Sequence, residues 1–200
     1  GFMALTGEPD GEPMKHGMSV SDLFCGLYST IAIQAALAMR QRTGKGQHID
    51  MALLDVAVAV TANQAMNYLS TGTPPARTGN YHPNLTPYQV FDCADGHIII
   101  ATGNDGQYQR LCVLLGLGDM ADAPEFRKNS DRIANREKMT ARLNAATLGF
   151  SKASLLAACE AKNVPAGPIN DLREVFDDPQ VQARGLQIEL EGIPGVRTPI

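Results

Sequence analysis

The sequence predicts a mixed α/β protein, and three observations predict it. Two long runs of small and apolar residues occupy positions 22–42 and 53–69. A β-rich hairpin pattern follows at 88–102, with Asp95-Gly96 between its arms. Shorter amphipathic stretches separated by Gly and Pro come after the hairpin. At 44% hydrophobic and 19% charged, the 200 residues have enough apolar content to build a core, which sets aside a disordered chain. The net charge of −4, with no basic stripe, predicts no nucleic-acid partner. There is no run of eighteen apolar residues and no leader-like start, so no membrane partner is expected. Cys25, Cys93, Cys112 and Cys159 are scattered, without a Cys-x-x-Cys pair. That pattern predicts no metal site and reduced, buried thiols in a cytoplasmic protein.

Residues 1–21 are rich in Gly, Pro and polar residues and read as a loop. Leu23, Leu27, Ile31, Ala35, Ala36 and Met39 then repeat at helical spacing, predicting an alanine-dense helix over 22–42. Ser21 or Asp22 is its expected cap, and Thr43-Gly44 its stop. A short strand is expected at 47–51 and a second apolar helix at 53–69. Residues 70–86 hold three prolines and read as a linker or active-site loop. Asp105 is the expected cap of a helix to Leu115, stopped by Gly116. Residues 129–147 predict one amphipathic helix, and the charges of 125–142 a solvated face. Ser151 starts another helix, Val164–Pro168 reads as a rigid turn, and short helices follow at 172–176 and after Asp178-Pro179. Leu186–Leu190 reads as a strand. The start at Gly1-Phe2-Met3 and the end at Thr198-Pro199-Ile200 read as cut, so an internal piece of a longer protein is expected.

Ordered local strings say more. Thr6-Gly7 precedes a Gly-x-Pro at Gly11-Glu12-Pro13, and Ser21-Asp22-Leu23-Phe24-Cys25-Gly26-Leu27-Tyr28 opens the first helix. Arg40 to Gln47, Leu53-Leu54-Asp55, Gly79 to Asn84, Pro87 to Phe91, Val164 to Pro168 and Asp178 to Val181 follow in order. This collinear set resembles the class III (CaiB/BaiF-type) coenzyme A-transferases. The resemblance implies part of a doubly wound CoA-binding large domain plus a smaller α+β domain, and an interlocked homodimer. It divides the chain into 1–69, the last part of the first large-domain segment; 70–86, a linker or active-site loop; 87–178, the small domain; and 179–200, the return toward the large domain. Most CoA contacts would lie in the missing N-terminal half. The isolated piece is therefore expected to bind CoA weakly, to be inactive, and to expose apolar surface on helices 22–42 and 53–69.

The resemblance also implies the chemistry. Acyl-CoA and a carboxylic acid are the expected substrates, with CoA thioester consumed as substrate and no permanently bound cofactor. Asp22 is the implied carrier: its carboxylate attacks the thioester, giving first an anhydride and then an aspartyl-CoA thioester. A helix N-terminus favours the anion and can steady an oxyanion. Gly17 and Gly26, nearby in sequence, would let substrate approach the backbone. Ser-Asp before an apolar run is also ordinary helix-start chemistry, and only the flanking blocks single out Asp22. His82 and Asn84 stand where the family brings a loop over the active site, although the family's glycine run is absent. They are candidate contacts to the acyl or acceptor group, with a hydrogen-bonded loop as the plainer reading. Two other functions compete: an acyl-CoA racemase using Asp22 as acid/base, and a non-catalytic CoA-binding relative or inactive fragment.

Overall fold

The computed structural model describes residues 1–197. It divides into two compact units, Gly1–Asn80 and Tyr81–Ile200. The first is helical: α1 (Phe2–Leu5), α2 (Val20–Thr43), α3 (Leu53–Ala59) and α4 (Ala62–Thr71). In α2 the half-buried positions are Val20 and then Ser21, Cys25, Ser29, Ala32 and Ala36, the last five spaced three or four apart. This small-residue stripe lets α2 pack closely, and its main helical neighbour is α3. The helix stops where expected. Gly44 takes φ 70° and donates its N–H to the Arg40 carbonyl at 2.8 Å. Its start is corrected: the helix begins at Val20 after Ser19, which places Asp22 inside the first turn and not at the cap.

The expected helix over 53–69 is two helices. Ala62 adopts φ 48° at the break, and the Thr61 hydroxyl donates back to the Val58 carbonyl at 2.7 Å. No Gly or Pro marks this break, so the apolar run reads through it. The expected strand at 47–51 is irregular, and the expected N-terminal loop contains α1. Despite lacking an eighteen-residue apolar run, α2 is long and apolar enough to cross a membrane by length and composition alone. Large apolar side chains along it are exposed in this chain, Leu27 at 59% and Ile31 at 64%.

The second unit is built on a hairpin. β1 (Tyr88–Cys93) and β2 (Gly96–Ala101) pair antiparallel from Tyr88 opposite Ala101 to Cys93 opposite Gly96, with Ala94-Asp95 as the turn. Alternate residues of β1, among them Phe91 and Cys93, point into the core. The segment expected as a rigid turn supplies a third, edge strand, β3 (Ala166–Pro168), antiparallel to β2. Its proline is tolerated because an edge strand leaves one row of N–H sites unused.

The helices of this unit are α5 (Asp105–Leu114), α6 (Gly118–Ala121), α7 (Asn129–Ala134), α8 (Arg136–Thr147) and α9 (Lys152–Ala161), with a 3₁₀ turn at Pro124–Phe126. Ile98, Ile100, Leu111, Leu143 and Leu155 are fully buried among them. Asn104, not Asp105, caps α5: its side chain accepts from the Gln107 N–H. The stretch 129–147 breaks at Asn135 into two helices. Ser151 caps α9 as expected. Then come α10 (Leu172–Asp177) and α11 (Pro179–Ala183), capped by Asp171 and Asp178. An antiparallel pair closes the described chain, β4 (Gln187–Leu190) and β5 (Ile193–Val196). The last three residues of the 179–200 segment lie outside the described residues.

Candidate active site

Asp22 is exposed in the first turn of α2. The first N–H groups of a helix have no partner within it, so a carboxylate there sits in a favourable field. The segment leading into α2 is tied down within its own unit. Arg77 donates from Nε to the Glu8 carbonyl at 3.1 Å and from Nη2 to the Gly11 carbonyl at 2.6 Å. The Gly79 N–H donates to the Gly7 carbonyl at 3.0 Å. Gly7 is required here: it has φ 122°, and a Cβ would stand 2.7 Å from the Glu12 carbonyl oxygen. Arg77 thus holds the Thr6-Gly7 to Gly11-Glu12-Pro13 segment, a role not visible from its place in a proline-rich loop.

Gly17 and Gly26 stand differently. A Cβ at either would meet nothing within 4 Å, so no contact among the described residues requires glycine there. The same unit holds an open apolar hollow of about 520 Å³ lined by Phe2, Leu5, Leu54, Val58 and Tyr68. Asp22 is not part of its lining.

His82 and Asn84 belong to the second unit. The His82 ring stacks on Tyr88 with centroids 4.9 Å apart. Its Nδ1 accepts from the backbone N–H groups of Asn84 and Leu85, both at 3.1 Å. An Nδ1 that accepts leaves the ring proton on Nε2, so His82 is the neutral tautomer. Desolvation lowers its pKa, and the nearby Arg136 guanidinium lowers it further. The His82 backbone N–H donates to the Tyr88 carbonyl at 3.0 Å. Behind the loop, Asn129 donates from Nδ2 to the Asn84 carbonyl at 2.8 Å and accepts the Thr86 N–H at 3.1 Å. His82 and Asn84 are therefore members of one closely hydrogen-bonded loop.

Two arginines support this loop, and both lie in the stretch read as a solvated face. That reading is corrected at Arg132, which is 1% exposed. It donates to the carbonyls of Thr86 and Phe126 and pairs with Asp105 at 2.8 Å, beneath the Tyr108 ring. Arg136 donates from Nη2 to the His82 carbonyl at 3.0 Å and lies 5.2 Å from the Tyr81 ring centroid. Nothing local in the sequence marks either residue, because the loop carbonyls of Thr86 and His82 and the Asp105 carboxylate that they meet are 27 to 54 positions away. No group of His, Cys, Asp and Glu able to hold a metal occurs among the described residues.

Residues 1–199 match CoA-transferase family III. The chain belongs to that family. It is 57% identical over its whole length to the succinate–glutarate CoA-transferase of Agrobacterium fabrum, covering 51% of that protein. It is 38% identical to the succinyl-CoA:mesaconate CoA-transferase of Haloarcula marismortui, over 96% of this chain and 48% of that one. A crystal structure of a CaiB/BaiF family protein from Brucella suis superposes with a TM-score of 0.81 at 56% identity, covering all of this chain and 53% of that one. The chain spans about half the length of the curated relatives it matches. Membership makes this an α/β segment of a CoA-transferase family III protein, with Asp22 at the head of its longest helix.

Proposed function

We propose that the complete protein transfers CoA between an acyl-CoA thioester and a small dicarboxylic acid, with Asp22 as the covalent carrier. The end-to-end match to CoA-transferase family III carries this reading, and the relatives named for succinate, glutarate and mesaconate favour dicarboxylates. The exposed carboxylate at the head of α2 supplies a nucleophile open to a bulky thioester.

The Asp22 carboxylate oxygen adds to the thioester carbonyl. The C–S bond breaks, CoA leaves as thiolate, and an acyl-aspartyl anhydride remains. The thiolate then attacks the aspartyl carbonyl. The donor acid departs as carboxylate, leaving an aspartyl-CoA thioester. The acceptor carboxylate repeats the sequence in reverse: it displaces CoA to form a new anhydride, the thiolate attacks the acceptor carbonyl, and Asp22 is released unchanged. Every step exchanges one acyl activation for another, so no external energy source enters. The positive end of α2 opposes the charge that builds on the carbonyl oxygen.

CoA thioester is in this reading a substrate and not a resident cofactor. The complete protein is read as a cytoplasmic homodimer, without nucleic-acid or membrane partners. Gly17, His82 and Asn84 are read as substrate-side positions: Gly17 by its place before α2, the other two by the loop they share.

The test is Asp22→Asn in the complete protein, with succinyl-CoA and glutarate. Loss of at least about a thousandfold in kcat, with acyl-CoA still bound, is expected for removal of a covalent nucleophile. CoA exchange continuing within about tenfold of wild type would remove Asp22 from the carrier role.

A further inference from the structure

The two loop-supporting arginines differ in one respect. Arg132 is compensated, pairing with Asp105 at 2.8 Å and donating to three backbone carbonyls. Arg136 is not. Among the described residues no carboxylate lies within ion-pair distance of it, and its hydrogen bond runs from Nη2 to the His82 carbonyl at 3.0 Å. Its Nη1 is buried with no hydrogen-bond partner. Burial draws its pKa down, and only the Tyr81 phenol acts against that. A guanidinium in this state is costly: buried donors are almost always satisfied, and a desolvated cation is normally paired. Arg136 also sits at the first residue of α8, where the helix dipole disfavours a positive charge. Three unfavourable features therefore meet on one side chain, and an anion would relieve all three.

We infer that Arg136 is the anchor for a substrate carboxylate, the second carboxylate of a dicarboxylic acid or the free end of its CoA thioester. The planar fork of guanidinium suits a carboxylate, which can take two parallel N–H donors. The Tyr81 ring stands over the guanidinium and is 38% exposed, which makes it the cover an entering ligand would shift. The other orphaned buried polar atom among the described residues is the hydroxyl of Thr86, at the far end of the same loop. Asn84 and Leu85 hold the His82 ring neutral and Asp105 pairs with Arg132, so Arg136 supplies the uncompensated charge on this loop. The inference rests on the proposed transfer of CoA to a dicarboxylic acid and names the residue that would make the enzyme prefer a diacid to a monoacid.

The experiment compares the complete wild-type protein with Arg136→Met and Arg136→Lys. Transfer from succinyl-CoA is measured to glutarate and to valerate, which lacks the second carboxylate. Glutarate binding is measured separately by calorimetry. The methionine variant is expected to lose about 10- to 100-fold in the glutarate-over-valerate ratio of kcat/KM, as for loss of a charged hydrogen bond, with lysine recovering part of it. Glutarate binding should weaken by the same factor. Equal losses on both acids would assign Arg136 a purely structural role in the loop and overturn the inference, as would glutarate binding unchanged within twofold. The calorimetric arm separates the two readings. Arg136-dependent glutarate binding without CoA transfer keeps the anchor and removes the transferase. CoA transfer indifferent to Arg136 does the reverse.

Discussion

The two units of this chain bury their apolar residues very differently. Among the described residues, the fully buried hydrophobic side chains lie between Phe91 and Val164 of the second unit, with one exception, Val56 of the first. The second unit encloses a core between its three-stranded sheet and its helices, sealed by the Arg132 clamp. The first places Asp22 on a 24-residue helix whose half-buried stripe is small and whose large apolar residues face outward. The unit with the stable core carries the loop of His82 and Arg136, and the unit with little core of its own carries the proposed nucleophile. Local stability tracks buried apolar contact. The Gly1–Asn80 unit is therefore predicted to be the weaker one when the chain stands alone.

Four changes would break or sharpen this contrast. The largest effect is expected at Arg132. Replacing it with Met strands the carbonyls of Thr86, Phe126 and Arg127 and should cost about 3–5 kcal/mol in urea unfolding of the second unit. A loss below about 1 kcal/mol would mean the clamp is dispensable. Next comes a matched pair. Leu143→Ala, in the core, should cost about 2–5 kcal/mol, whereas Leu27→Ala, 59% exposed, should stay within about 0.5 kcal/mol. Equal costs would erase the contrast between the units.

Thiol labelling gives a smaller, kinetic version. Cys93, Cys112 and Cys159 are buried, and burial raises the pKa of all three, Cys159 to about 11. Cys25 is half-buried on α2 and should react first with a disulfide reagent at neutral pH. Labelling of Cys159 ahead of Cys25 would contradict the placement of the core.

The smallest effect is at His82. Its folded pKa lies below the ordinary 6.5, so the neutral ring contributes stability above about pH 6.5. That contribution is lost as pH falls through 6.5 and on through the lowered folded pKa. Protonation would also require Nδ1 to give up the Asn84 and Leu85 N–H bonds. Nuclear magnetic resonance should show a midpoint below 6.5 that moves upward in Arg136→Met. A midpoint at or above 6.5 would refute the neutral, desolvated ring.

Much of this arrangement is legible in the sequence, and the rest is hidden for definable reasons. Stops and starts with their own chemistry were readable: Gly44, Gly116, Ser151 and Asp178-Pro179 act locally, whatever the tertiary context. The break at Thr61-Ala62 was not, because it uses ordinary residues in an apolar run. The edge strand at Ala166–Pro168 was masked by two prolines that read as a turn. Asp22 could be singled out only through its flanking blocks, since its own neighbourhood is an ordinary helix start. Arg132 and Arg136 are hidden for the same reason. In a charged stretch an arginine looks solvated, and burial by a loop some fifty residues away leaves no local mark.

The central claim is that Asp22 carries the acyl group. The most direct measurement incubates the complete protein with succinyl-CoA and glutarate in heavy water and follows two things by mass spectrometry: the peptide containing Asp22 and the acyl-CoA pool. Covalent CoA transfer predicts an adduct on Asp22, appearance of glutaryl-CoA, and no deuterium at the α carbon of either thioester. Deuterium at the α carbon with neither adduct nor exchange would contradict it and recast Asp22 as an acid/base of a racemase.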